Sequence, residues 1–535
     1  MSKRSTKATT RDTHRDWREW ATRKAPHLAI ALVLIGTVRI ASTYSVFYHT
    51  VDEGLHIACG LEWITRGSYK IEAQHPPLAR VMAAAGPWLA GAKLLDGDHP
   101  IVPQALGALY GGENANYEQR LLWSRIGVLP SFWVCAWVLW AACIRWFDRL
   151  TALAAIFAFT SLPAVLAHSG LATTDMTFTA AFCAALLAGL ILIEEPSIGR
   201  GALFGVALAV ALLAKFSTIA FFPCAVLAAL GAVRPRREEL LDRARRIALP
   251  VAAGLLVCAL IVWAGYRFSV GYSPLLGTTV PVPEFFNGIE EVRKHNAQGH
   301  DSYILGQYSE SGFWYYYPVA LLFKSPFAFL VLAVAGGYFC LRGGEARYLV
   351  PVAFLTGIFL FATTSRINIG VRHVMPVYIF LSILAGVAVT HWWRKSAGLW
   401  ARGVVAGLLL WLAGTSAASH PDYLAYFNFL AGDRPEEILV DSDLDWGQDM
   451  KRLGERLRQL GARQVALNPT LYGFWQEYHG FPAIVPLSAR VPRPGWNAVS
   501  LTLLKYVRPK KDLVWTDTMR PAERVGKGIL LYFQR

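Results

Sequence analysis

Charge is scarce in this chain. Asp, Glu, Lys and Arg make up 17% of the 535 residues, against 54% hydrophobic residues. A soluble chain of this length carries more charge and fewer long apolar runs, so an ordinary soluble protein is excluded. Cysteine signals are missing as well. The seven cysteines form no CxxC pair, and all but Cys59 fall inside apolar runs. Neither a disulfide framework nor a cysteine-based zinc site is expected. The glycines make no P-loop pattern and no convincing Rossmann fingerprint, so no nucleotide-binding signature is present. There is no internal repeat and no low-complexity tract beyond the N-terminal tail.

What the chain has is long apolar runs, 19 tryptophans and a net charge of +15. The tryptophans suit aromatic belts at membrane interfaces. The positive charge does not point to nucleic acid. Much of it lies in a basic tail, 1–26, with Lys3, Arg4, Lys7, Arg11 and Arg15, and in short loops between apolar runs, where cytoplasmic loops collect Lys and Arg. Leu28–Val38 has the length of a signal-peptide core, but a retained helix to about Tyr48 is preferred. Arg39 inside it must face protein or a polar cavity.

A hydrocarbon core of about 30 Å needs roughly 20 apolar residues per helix. The sequence predicts an α-helical polytopic membrane protein with about eleven spans: 27–48, 122–144, 150–168, 176–193, 201–214, 217–233, 247–266, 314–341, 348–364, 373–391 and 403–419. The fifth and sixth are short, yet one helix over 201–233 would be about 50 Å long. Arg200 precedes the pair, and Arg234, Arg236, Arg237, Arg243, Arg245 and Arg246 follow it, so both ends are read as cytoplasmic and the pair as a hairpin turning near Lys215. Arg145, Arg149, Arg342, Arg347, Arg394, Lys395 and Arg402 agree. The N-terminus is then inside and the C-terminus outside.

The spanning module, 27–419, would leave external loops at 49–121 and 267–313 and a C-terminal domain at 420–535. The first loop holds two amphipathic pieces around Pro77–Leu95, broken by Gly86–Pro87, that suit interfacial helices. The C-terminal domain is read as small α/β. Gly447–Leu460 has helical spacing, with Met450, Leu453, Leu457 and Leu460 on one side, and Arg463–Leu467, Ala498–Leu504 and Gly528–Phe533 read as strands.

Chemistry-bearing residues gather on the expected outer side. Asp52 and Glu53 follow the first span, with His56 three residues beyond Glu53 and so on its face. The plain reading is a helix N-cap at Asp52 with a solvated acid beside it; the sharper one is a general base at the water–lipid boundary. His75 precedes two prolines that fix its backbone, although a lone loop histidine is more often structural. Asp175, after His168 and Thr173-Thr174, either caps the fourth span or joins Asp52 as a second acid. Lys215 sits at the hairpin turn, Lys324 about ten residues into the eighth span, and Arg366, Arg372 and His373 in the ninth-to-tenth connection. A lysine within a span snorkels or meets an anion, and arginine holds phosphate bidentately. Glu53, His56, His75 and Asp175 could hold a divalent ion if they converged. Asp441–Asp449 carries four aspartates in nine residues. Trp446 and the absent closing Glu argue against an EF-hand, and Asp445 is expected to cap a helix starting near Gly447.

The ordered set Asp52-Glu53, His75-Pro76-Pro77-Leu78, Thr173-Thr174-Asp175, Tyr315-Tyr316-Tyr317-Pro318, Lys324-Ser325-Pro326, Gly370-Val371-Arg372-His373-Val374-Met375-Pro376, Tyr426-Phe427-Asn428 and Asp441–Asp449 resembles membrane glycosyltransferases of the GT-C superfamily. The resemblance is to the family 39-like group of protein O-mannosyltransferases and aminoarabinose transferases, and its last two pieces look like a bacterial branch of phospholipid carrier-dependent glycosyltransferases. It implies transfer of a sugar from a polyprenyl-phosphate donor to an acceptor hydroxyl on the outer face of a bacterial inner membrane. Asp52 would be the general base, with Glu53 and Asp175 as further catalytic acids. His56, His75, Lys215, Lys324, Arg366, Arg372 and His373 would bind substrate. Direct attack inverts the anomeric carbon. No cofactor is required by this scheme, and the acceptor could be a protein, lipid or glycan. The alternative is a transporter or flippase of a lipid-linked precursor, which predicts intramembrane polar residues, broken helices and often paired repeats near the midplane. A third, a scaffold binding a partner through its external domain, gives no reason for acids and cations to gather on one face.

Overall fold

The computed structural model describes residues 5–97, 99–112, 115–395, 399–468 and 480–535. Lys3 and Arg4 of the basic tail lie outside the described residues, as do the side chains of Lys7, Arg11, Arg15, Arg347 and Lys395.

Among the described residues, six helices are long and apolar enough to cross a bilayer: Glu19–Ala41, Tyr117–Trp146, Asp175–Glu194, Arg237–Gly265, Val377–Arg394 and Trp400–Ala418. Counting each of two bent pairs as one span raises the number to eight. Arg149–Thr160 and Pro163–Ser169 meet at 70°, and Tyr316–Lys324 and Phe327–Gly343 at 119°. Ile198–Ala214, Ser217–Val233 and Tyr348–Ala362 are shorter apolar helices. They supply the remaining three of the eleven expected runs, each below the length of a full span.

The bends correct two expectations. The runs 150–168 and 314–341 are not straight spans. Each breaks just before a proline, Pro163 or Pro326, because a proline ring drives the preceding residue out of the helical region. Leu162 and Ser325 are both extended. Lys324 therefore ends a short helix at the bend and does not sit part-way along a continuous span. The first helix likewise stops at Ala41, short of Tyr48. Arg39 turns into protein, where its guanidinium donates to the Ser416 carbonyl, 2.5 Å, and to the Tyr423 hydroxyl, 3.1 Å. The Ser416 carbonyl sits at the negative end of its helix, which suits a cation.

The chain reverses at Lys215-Phe216. Gly201 packs on Pro250, Gly205 on Gly254 and Gly265 on Leu213, so Ile198–Ala214 runs parallel to Arg237–Gly265. A Cβ at Gly205 would meet the Gly254 carbonyl at 2.0 Å, so glycine is what allows these helices to approach. Phe204 reaches Gly189 while Phe221 lies tilted against Phe178, which sends Ser217–Val233 back along Asp175–Glu194. This reversal leaves Lys215 at the same end of the bundle as Asp175.

The first external loop holds three helices, Val51–Arg66, Pro77–Leu89 and Ile101–Tyr110. The expected break at Gly86–Pro87 is absent; Pro87 sits in the helix's last turn. The C-terminal region carries a five-stranded sheet ordered 483–486, 464–467, 495–500, 529–534, 523–525, parallel across its first three strands and antiparallel beyond. Residues 501–504, read as strand, begin the helix Leu501–Val507, capped by Ser500. The helix Met450–Gln459 buries Met450, Leu453 and Leu457 in one cluster with Tyr48, Ile57, Leu61 and Tyr117. The C-terminal domain therefore shares its core with the first loop.

Candidate active site

The helix Val51–Arg66 starts at Thr50, not Asp52. The Thr50 amide donates to the Glu53 carboxylate at 2.8 Å, one half of a capping box. This fixes the helix phase and sends two adjacent acids opposite ways. Asp52 lines a cavity of about 990 Å³. Glu53 is fully buried behind it and pairs bidentately with Arg125, Nε to Oε1 at 2.8 Å and Nη2 to Oε2 at 2.9 Å. Glu53 also accepts from the Ala172 amide at 2.9 Å. Burial pushes its pKa up, but the Arg125 charge and these hydrogen bonds outweigh it and hold the carboxyl below its ordinary value.

At the cavity, acids and cations alternate. Asp52 Oδ2 accepts from Arg372 Nη1 at 2.7 Å. The same nitrogen is 3.9 Å from Asp175 Oδ2, and Asp175 Oδ1 accepts from Lys215 Nζ at 2.6 Å. Asp175 is wholly buried, whereas Asp52, Lys215 and Arg372 line the cavity. Thr174 stands at the N-cap position without a side-chain hydrogen bond, and Asp175 is the helix's first residue.

Arg372 sits in a short 3₁₀ turn, Val371–Val374. The Asp441–Asp449 segment holds that turn. The Val371 amide donates to the Asp443 carboxylate at 3.1 Å, and Ser442 Oγ donates to the Ile369 carbonyl. The Arg372 guanidinium lies 4.1 Å over the Trp446 ring, a cation–π contact. The Trp446 carbonyl accepts from the Val51 amide at 3.1 Å. One segment thus braces both Asp52 and Arg372. Asp445 does not cap the next helix: it accepts from Ser500 Oγ at 2.5 Å, and Asp449 precedes that helix.

His56, His75 and His373 also line the cavity. The rings of His56 and His75 meet edge to face at 5.2 Å. Burial and the nearby Lys215 charge lower the His75 pKa to about 4, and burial lowers His56 as well. Both are neutral near pH 7, suited to hydrogen bonding.

Three expected residues stand elsewhere. Glu53 does not reach the cavity, because its oxygens are taken by Arg125 and two amides. Lys324 is buried away from it, donating to the Leu424 carbonyl at 2.7 Å and to the Asp443 carbonyl, with its ammonium 4.3 Å over Phe427. Arg366 is not among the lining residues and donates to the Ala297 carbonyl at 3.3 Å. The donor set of Glu53, His56, His75 and Asp175 does not form; Arg125 and Lys215 occupy two of its acids. Among the described residues, no group of three or more His, Cys, Asp or Glu side chains is arranged to hold a metal.

Sequence reasoning missed Arg125, the partner of Glu53 behind the cavity, as well as Tyr506 and the wall from the second external loop, including His295, Asn296 and His300. Arg125 carried a signal, a charge within an apolar run. The loop wall carried none.

Residues 124–263 match the family model for dolichyl-phosphate-mannose-protein mannosyltransferases. The apo structure of ArnT from Cupriavidus metallidurans superposes with a TM-score of 0.55 at 16% identity, over 95% of this chain and 98% of that one. The chain has the fold of these GT-C-type membrane glycosyltransferases, and its residues 124–263 match the mannosyltransferase family model. The structure of the same Cupriavidus metallidurans protein bound to undecaprenyl phosphate gives a TM-score of 0.51 at 16% identity, over 94% and 97% of the two chains. At that identity it is the fold that is shared. No curated protein matches the chain.

Proposed function

We propose that the protein is a glycosyltransferase that moves a sugar from a polyprenyl-phosphate-linked donor to an acceptor hydroxyl, with Asp52 as the general base. The observation that carries this reading is the position of Asp52. It is a carboxylate on the cavity wall with two cations, Arg372 and Lys215, on the same wall.

A hydroxyl is a weak nucleophile near pH 7 and gains from a base within hydrogen-bond reach. The acceptor oxygen attacks the anomeric carbon and forms the new C–O bond. Its proton passes to Asp52. The bond from the anomeric carbon to the phosphate oxygen breaks, and the electron pair leaves with the phosphate. A single displacement inverts the anomeric configuration. Arg372 and Lys215 stabilise the charge growing on the phosphate, the task a divalent ion would otherwise perform. Asp175 touches both cations and aims them, while neutral His56 and His75 offer hydrogen bonds to sugar hydroxyls. Ile219, Phe221, Phe361 and Ala362 form an apolar flank of the cavity suited to a prenyl chain. The undecaprenyl phosphate bound by the Cupriavidus metallidurans protein supports a donor of this class. The cavity end is read as the outer face of a bacterial inner membrane, with a protein, lipid or glycan as acceptor.

The test is transfer from a radiolabelled polyprenyl-phosphate sugar in reconstituted vesicles, wild type against Asp52→Asn at matched protein. Transfer by the wild type alone supports the assignment. Equal transfer by both proteins removes Asp52 from the base's role. No transfer by wild type, with several donors and crude membrane acceptors offered, favours a transporter.

A further inference from the structure

Between the span Arg237–Gly265 and the helix Pro283–Gln298 the chain forms an antiparallel hairpin, Val270–Ser273 paired with Thr278–Pro281. From Phe268 to Pro283 it carries no charged residue. The site described above makes no use of it.

The hairpin is amphipathic in the wrong sense for water. Directly opposed residues share a face. Val270 opposes Pro281 and Tyr272 opposes Thr279, and this face points outward, with Val270 and Tyr272 each 62% exposed. Leu275 and Leu276 at the tip are exposed as well. The inward face has less to bury. Gly271 packs on Pro283, Ser273 is buried, and Val280 is half-buried. A lone two-stranded hairpin is marginal in water and needs an apolar face packed on something. Here the richer apolar face is left open by the rest of the described chain.

Its position says what covers that face. Gly265, at the end of the span, packs on Leu213, two residues before the turn at Lys215. The span therefore ends level with the reaction cavity. The chain turns back at once: the Phe268 amide donates to the Trp263 carbonyl at 2.9 Å, and the two rings meet at 5.3 Å. The hairpin thus begins beside the last turn of a spanning helix. At that depth acyl chains give way to headgroups, and Trp and Tyr collect there.

We infer that this hairpin is an interfacial anchor, with Val270, Tyr272, Leu275 and Leu276 inserted into the leaflet around the cavity end of the bundle. An exposed, uncharged apolar patch continuous with a span fits a lipid surface. The hairpin's base is closed by the Val282 amide, which donates to the Ser269 carbonyl at 3.0 Å. The next residue opens the helix that gives Ile289, Val292 and His295 to the reaction cavity. The bilayer thereby holds one wall of that cavity. The anchor does not depend on the proposed reaction, and its test reads no transfer.

Full-length Leu276→Cys is labelled with the fluorophore NBD and reconstituted in phosphatidylcholine vesicles. Lys511→Cys, exposed on the C-terminal domain, is the water-facing reference. The native cysteines are buried or half-buried, and wild type treated with the same reagent sets the background. The label at 276 is expected to emit at shorter wavelength than the label at 511. It is expected to lose most of its emission when doxyl-labelled lipids are mixed in, and to resist quenching by iodide. Val270→Cys is expected to match it, so the test survives a tip variant that does not fold. Emission and iodide quenching at 276 and 270 equal to those at 511 overturn the anchor. A blue-shifted label that doxyl lipids leave bright overturns it too, in favour of a second copy of this chain if energy passes between labelled copies.

Discussion

Asp52 and Glu53 are neighbours in sequence and lie in two different regions of the molecule. Asp52 belongs to the cavity wall, where each acid touches a cation that also faces open space. Glu53 belongs to the closed interior behind that wall, where its partners leave no position for a substrate. The difference teaches that an acidic pair is not one functional unit. One member is available for chemistry because the other holds the helix start in register. A buried, fully paired acid can fix a reacting group's position without reaching the substrate.

Substitutions at the two positions should separate these roles. Asp52→Asn should lower transfer by about 10²–10⁴-fold, the usual worth of a general base, with the unfolding temperature unchanged. A large loss of stability in that variant would erase the contrast. Glu53→Gln leaves Arg125 buried without a counter-charge and should cost about 3–5 kcal/mol of stability, read as lost folded protein in detergent. A stable Glu53→Gln protein that folds normally but transfers no sugar would return Glu53 to a catalytic part. Lys215→Met should do both things at smaller amplitude. Transfer should fall about 10–100-fold from the lost charged hydrogen bond, with some loss of stability because Asp175 keeps only the more distant Arg372 as a counter-charge. A Lys215→Arg protein should recover part of each.

The interior pair also has a pH signature. The Glu53 pKa in the folded protein lies below its ordinary value of 4.5. The unfolded chain therefore takes up this proton first as pH falls. The stability Glu53 contributes is whole above its ordinary value and is lost as pH drops through the lowered one. Thermal unfolding followed from pH 6 downward should show this decline in wild type and a flatter profile in Glu53→Gln. The smallest effect belongs to the platform under Arg372. Trp446→Leu removes a cation–π contact worth about 0.5–2 kcal/mol, so transfer should fall about 3–30-fold, and Trp446→Phe should restore part of it. Equal rates for the Leu and Phe variants would reduce Trp446 to packing.

Much of this was legible in the sequence because hydrophobic burial and charge cost act over short stretches. Runs of apolar residues had to be helices in a bilayer, whatever they packed on. Asp175 and Lys215 were conspicuous as charges beside lipid. The reversal at Lys215 followed from the arginines on either side of 201–233. Proline positions held the bends at Pro163 and Pro326, although the apolar runs around them read as unbroken.

Which charges meet was decided only by the tertiary structure. Asp52 and Arg372 are 320 residues apart, and Glu53 and Arg125 are 72 apart. No local pattern tells an acid in a closed pair from an acid on a cavity wall, because both carry the same side chain beside the same helix start. Lys324 read as a phosphate ligand until the bend at Ser325 turned its ammonium toward the Leu424 and Asp443 carbonyls. The sequence by itself determined a helical membrane chain with ionic groups near one end of its spans. Helix phase, proline bends and the docking of Asp441–Asp449 decided which of those groups share a cavity, because a side chain's direction depends on contacts made far along the chain.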